Sequence, residues 1–186
     1  MARLFLFDAP SLASFLTPDL LAGLCAAGTR MSYADRALVQ WRGDARPGLS
    51  IVHDGAVQIG NPGLDGSFVV TSILGPGHCF GEMTLFGDLP RTHDAVAVGA
   101  TVIDQVSPAA YERFAEANPP LTRAILAMMA RRLHVLLEFA DPALEARSAG
   151  QKVLLRIGSA NAARIKAKLR DIRAALIEKM PAVAPS

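Results

Sequence analysis

Between Arg36 and Val106 the chain is cut into short stretches by glycines at 43, 48, 55, 60, 63, 66, 75, 77, 81, 87 and 99, and this punctuation constrains the fold more than any other feature. Arg36 to Trp41 alternates weakly, and Ser67 to Leu74 is rich in β-branched residues. Leu49 to Val52 and Ala56 to Ile59 are separated by the turn His53-Asp54-Gly55, and Ala95 to Val98 and Thr101 to Val106 flank Gly99. Strands this short, with turn signals this frequent, predict a mainly β fold with helices at its margins. An antiparallel barrel or jelly roll, also called a double-stranded β-helix, satisfies that pattern.

Helix signals lie outside this region. Thr17 as N-cap, Pro18 as first residue and Gly28 as terminator bracket a helix ahead of the barrel. Ser107 and Pro108 open another directly after the last strand. From Pro119 the pattern is helical for some twenty residues, with Leu121, Ile125, Met128, Met129, Leu133, Val135, Leu136 and Phe139 giving apolar cover too wide for a single packing face. One stripe suits the barrel and the other a second copy, so a homodimer is expected. Asp141-Pro142 is expected to break or restart the helix.

The run FGEMTLFGDLPRTHD, Phe80 to Asp94, carries the chemistry. Gly81 lets the backbone close on a ligand, and a helix starting there aims free N–H groups at an anion. Arg91, just past Pro90, offers a bidentate fork suited to phosphate. Glu82 only accepts, which suits a sugar hydroxyl.

On these residues the sequence resembles the cyclic-nucleotide-binding domain of Crp/Fnr-type regulators, from about Ser11 to Arg156. Phe80, Gly81, Glu82, Leu85, Pro90, Arg91 and Thr92 fall on the family's phosphate-binding cassette, Ile73 to Gly77 on the strand and turn before it, and NPPL (118–121) and MARRLHV (129–135) on its long central helix. The resemblance places Phe80 and Gly81 among the ligand-binding residues and implies that Glu82 accepts from the ribose 2′-hydroxyl and Arg91 pairs with the cyclic phosphate. Thr92 adds a hydroxyl, and N–H groups around Gly81 and Met83 complete the cradle. It implies a cyclic nucleotide as ligand, cyclic AMP first and cyclic GMP second, with no metal, and a dimer helix that relays binding.

Three domains follow: 1–117 as barrel with N-terminal helix, 118–140 as dimer helix, and 141–186 as a basic helical tail. His93 and Asp94 depart from the family pattern beside the phosphate site. Leu136 and Leu137 replace the hydroxyl pair that contacts adenine in the best-known member, so cyclic GMP, a cyclic dinucleotide or no nucleotide stay open. The alternative to a sensor is a nucleotide-free structural or interaction module.

The chain's 186 residues are enough to bury a core, and no apolar run reaches the ~18 to 20 residues of a membrane span. The opening MARLFLFDAP is too weakly apolar for a secretory signal, which predicts a soluble cytoplasmic protein. Cys25 and Cys79 are isolated and read as small hydrophobes. His53, His78, His93 and His134 form no compact ligand set, and no nucleophile with a base emerges, so neither haem nor catalysis is expected. Ala143 to Lys179 holds nine Lys or Arg against three Asp or Glu, in a chain of net charge +2. Within it Ile165, Leu169, Ile172 and Leu176 share a stripe, while Gln151 and Arg164 fall where a helix-turn-helix needs apolar residues. A recognisable DNA-binding module is therefore not expected. Contact with nucleic acid through the basic stripe is the third reading.

Overall fold

The structure, a computed structural model, describes residues 10–45, 48–63 and 68–148. The basic stripe from Arg164 onward, the Gly150-Gln151 pair, residues 1–9 and Ser67 lie outside the described residues. Of the described residues, those up to His134 make one compact unit and those from Val135 belong to a second.

The helix ahead of the sheet, α1 (Pro18–Ala26), begins as its sequence dictates: the Thr17 hydroxyl accepts from the Leu20 N–H and Pro18 occupies the first turn. Six antiparallel strands follow among the described residues: β1 (Thr29–Tyr33), β2 (Leu38–Gln40), β3 (Leu49–Pro62), β4 (Phe68–Leu74), β5 (Cys79–Phe80) and β6 (Asp94–Val106). Between β5 and β6 lies a short helix, α2 (Glu82–Gly87), and after β6 come α3 (Pro108–Ala117) and α4 (Pro120–Ser148). Ser107 caps α3, its hydroxyl accepting from the Ala110 N–H.

The two long strands organise the roll. β6 pairs with β3 along its whole length, and its first part also takes β2 while its last part takes β1. β3 likewise carries β5 near its start and β4 near its end. The sequence suggested four short strands here, split at His53-Asp54-Gly55 and at Gly99, whereas each pair is one continuous strand. The turn residues are absorbed as register shifts between Val52 and Ala56, with Gly55 at φ +75° and Gly99 at φ +71°. Gly55 also allows a close approach, since a Cβ there would run into the Ala100 carbonyl and the Thr101 hydroxyl.

This wrapping makes two apolar clusters. Val52, Val57, Leu74, Phe80, Ala95 and Ile103 fill the inside of the roll. Leu49, Ile51, Cys79 and Val106 form the second with Leu24 of α1, Tyr111 of α3, and Leu121, Ile125 and Met128 of α4. Residues 121, 125 and 128 recur at helical spacing, so one stripe of α4 is committed to the sheet. Helix α4 does not stop at Asp141-Pro142 but runs to Ser148. Proline removes a single N–H from the ladder, a local cost of about 3 kcal/mol that a long helix absorbs.

Candidate functional site

Gly81 starts the site. It is the N-cap of α2 at φ +94°, a conformation that favours glycine. A Cβ at Gly81 would strike the Arg91 guanidinium and lie 2.6 Å from the Gly48 carbonyl. The missing side chain is thus the space that Arg91 fills. The Gly81 carbonyl accepts from the N–H groups of Thr84 (3.1 Å) and Leu85 (3.0 Å), so the amides of Glu82 and Met83 come ahead of the first intrahelical bonds.

Arg91 is held by its main chain and its side chain together. Its N–H donates to the Asp44 carbonyl (2.9 Å), its carbonyl accepts from the Gly43 N–H (2.8 Å), and Nη2 donates to the Gly48 carbonyl (3.0 Å). Glu82 is buried, and its Oε1 accepts from Arg132 Nη1 at 2.7 Å, with both side chains only 11% exposed. Arg132 also donates through Nη2 to the carbonyls of Cys79 (2.8 Å) and Pro10 (3.2 Å). One guanidinium therefore joins α4, β5, the N-terminal segment and the start of α2. The second carboxylate oxygen of Glu82, Oε2, is buried with no hydrogen-bond partner among the described residues.

The other residues singled out in the sequence divide by role. Phe80 points into the roll as part of the inner cluster. Met83 is exposed. The Thr92 hydroxyl is 2.9 Å from Nδ1 of His93. Burial and the nearby Arg42 hold the His93 ring below the usual histidine range, against the opposing pull of Asp94, which favours a neutral imidazole at neutral pH. Asp94 Oδ1 accepts from the Arg42 N–H at 2.6 Å. Phe86 meets Tyr111 edge-on with ring centroids 5.2 Å apart, and the Tyr111 hydroxyl is 3.3 Å from that of Thr122, linking α2 through α3 to α4. Beside the site Cys79 is fully buried, and that burial pushes its thiol up to about 12. It is an inert packing group.

Residues 30–118 match the family model of the cyclic nucleotide-binding domain. The roll itself is shared with the catabolite activator protein of Thermus thermophilus, which superposes with a TM-score of 0.60 at 24% identity over 94% of this chain and 90% of that one. The resemblance to the Crp/Fnr-type domain read from the sequence thus extends to the fold. The Cyclic AMP receptor protein of Thermus thermophilus is 31% identical over 109 residues, covering 55% of this chain and 50% of that protein. The CRP-like cAMP-activated global transcriptional regulator of Mycobacterium tuberculosis is 30% identical over 92 residues, 48% of this chain and 41% of it. The chain spans about half the length of these curated relatives. The sensor domain of the transcriptional regulator DNR from Pseudomonas aeruginosa superposes with a TM-score of 0.53 at 25% identity, over 77% of this chain and 89% of that one. A second family model, Protein of unknown function (DUF3014), matches residues 89–173.

Within the residues that match the cyclic nucleotide-binding domain model, the structure brings Gly81 and Arg91 into contact and leaves Glu82 on the α4 side of the same helix start. Arg132 was missed as a partner of Glu82 in the sequence, although it lies inside the MARRLHV segment. Two adjacent arginines on a helix gave a signal of position but not of which one turns inward.

Proposed function

We propose that this chain is a cyclic-nucleotide sensor, a non-catalytic regulatory module in the cytoplasm that works as a homodimer. The observation that carries the reading is Glu82 Oε2, a buried carboxylate oxygen with no hydrogen-bond donor among the described residues. Such an oxygen costs about 1–3 kcal/mol or more when left unmatched. A ribose hydroxyl would satisfy it, while the cyclic phosphate meets the Arg91 guanidinium and the first amides of α2. Thr92 and the Met83 amide line the same end of the cassette in this reading, and cyclic AMP is the first candidate because the relatives above carry it in their names.

Signal leaves the site through α4. A nucleotide that hydrogen-bonds Glu82 changes what Arg132 holds, and Arg132 belongs to the helix whose other stripe is proposed to meet the second copy. The ligand shifts the helix only by binding its two arrangements unequally.

Isothermal titration of the 186-residue chain with cyclic AMP and cyclic GMP tests this reading. Saturable binding is expected, falling at least about a hundredfold in Arg91→Ala, as befits loss of a charge-assisted bidentate contact. Silence with both nucleotides would leave the nucleotide-free interaction module in its place.

A further inference from the structure

Asp94 stands beside the phosphate-binding Arg91 in sequence, where a second carboxylate would be expected to weaken an anion site. The structure gives it another task. Its Oδ1 takes the backbone N–H of Arg42 at 2.6 Å, the first residue of the segment whose next two residues clasp Arg91. Gly43 turns the chain at φ +84° and donates its N–H to the Arg91 carbonyl, and the Asp44 carbonyl accepts the Arg91 N–H. Four residues further, the Gly48 carbonyl receives Arg91 Nη2. The contacts therefore run from Asp94 to Arg42, through the turn, and back to Arg91 from both ends of the residue.

From this circuit we infer that Asp94 is a positioning residue for Arg91, acting through the Arg42–Asp44 turn, and that its carboxylate strengthens anion binding instead of opposing it. The physical reason is order. Among the described residues the turn pairs with no regular strand at Arg42 and Gly43, so the carboxylate-to-amide bond supplies the restraint that a ladder would otherwise give. With the turn fixed, the Arg91 main chain is fixed, and the guanidinium is presented over Gly81 in one place. Preorganised donors cost a ligand less ordering free energy than mobile ones. His93 between them does not compete for this role, since its Nδ1 faces the Thr92 hydroxyl.

This inference rests on the sensor reading, and its test separates the two. Native-state hydrogen exchange read by NMR, without nucleotide, follows the amides of Gly43 and Arg91 in the wild type, Asp94→Ala and Asp94→Asn. Alanine should speed exchange at both amides by about tenfold, and asparagine, whose carbonyl still accepts, should recover most of the protection. Cyclic AMP and cyclic GMP titrations of the same proteins should show about three- to tenfold weaker binding in Asp94→Ala, again recovered in Asp94→Asn. Unchanged protection in Asp94→Ala overturns the inference whatever the nucleotide does. So does lost protection with unchanged affinity, because the turn would then not govern Arg91. If the wild type binds neither nucleotide, the sensor reading falls and takes the ligand half of the inference with it, while the exchange data still decide whether Asp94 holds the clasp.

Discussion

The space above Gly81 is occupied by Arg91, so Gly81→Ala places a methyl against a guanidinium and a carbonyl at a left-handed φ. Loss of about 1–3 kcal/mol in urea denaturation is expected, together with loss of nucleotide binding. Arg132 was not legible as a site residue, because its partner lies 50 positions away and only the fold brings the two together. Arg132→Ala leaves the Glu82 carboxylate buried without its cation, which costs about 3–5 kcal/mol. The double change Glu82→Gln, Arg132→Met removes both charges and should restore most of that loss. A double variant no more stable than Arg132→Ala would show that the ion pair is not what the site depends on.

At the scale of elements, the long strands escaped the sequence reading for a physical reason. A glycine at positive φ marks a turn when seen in isolation, yet in β3 and β6 the same conformation makes a bulge that bends a strand without ending it. The short β1 strand was missed too, being largely exposed and lacking apolar alternation. The helix starts at Thr17 and Ser107, by contrast, were readable from their caps alone. The bent sheet also brings together a cluster that no local pattern announces. Asp104 of β6, 1% exposed at its side chain, receives Arg30 Nε of β1 at 2.7 Å and lies 3.2 Å from His53 Nδ1 of β3. Burial raises the Asp104 carboxyl, but hydrogen bonds from Arg30 and the Cys25 thiol, with the charges of Arg30 and His53, outweigh it and hold the group below the usual carboxylate range. The same burial and the Asp104 charge push the Cys25 thiol up to about 11. A carboxylate depressed in the folded state adds stability that is complete above its unfolded pKa of about 4 and disappears as pH falls through the folded value. Asp104→Asn should therefore be about 1–2 kcal/mol less stable than wild type at pH 7, with the gap closing on acidification below about pH 4. Urea midpoints across that range check it, and a gap that is constant with pH would assign the loss to packing.

For the whole molecule, the question is what covers the second stripe of α4. Leu121, Ile125 and Met128 are buried against the sheet, while Leu126 is 61% and Leu133 57% exposed. These two leucines are seven residues apart, the spacing that keeps side chains on one seam when two helices pack side by side. In the proposed homodimer a two-fold axis along such a seam sets each leucine near its own copy, so one chain supplies both halves of the interface. An interface of this kind tolerates no charge at its centre. Leu126→Glu and Leu133→Glu each place a carboxylate in an apolar seam with a like charge opposite, at a cost of several kcal/mol. Sedimentation equilibrium should show a dimer for the wild type and a dissociation constant at least about a hundredfold higher for either variant. The inward stripe gives the same experiment a second use. Arg132, next to Leu133 in the chain, faces Glu82, so in the proposed sensor a nucleotide on Glu82 lies one helix residue from the proposed seam. If linkage exists it is reciprocal: nucleotide must change the dimer constant by the factor by which dimerisation changes nucleotide affinity. Equal dimer constants with and without saturating nucleotide would mean that the site binds without signalling through α4, whatever its affinity.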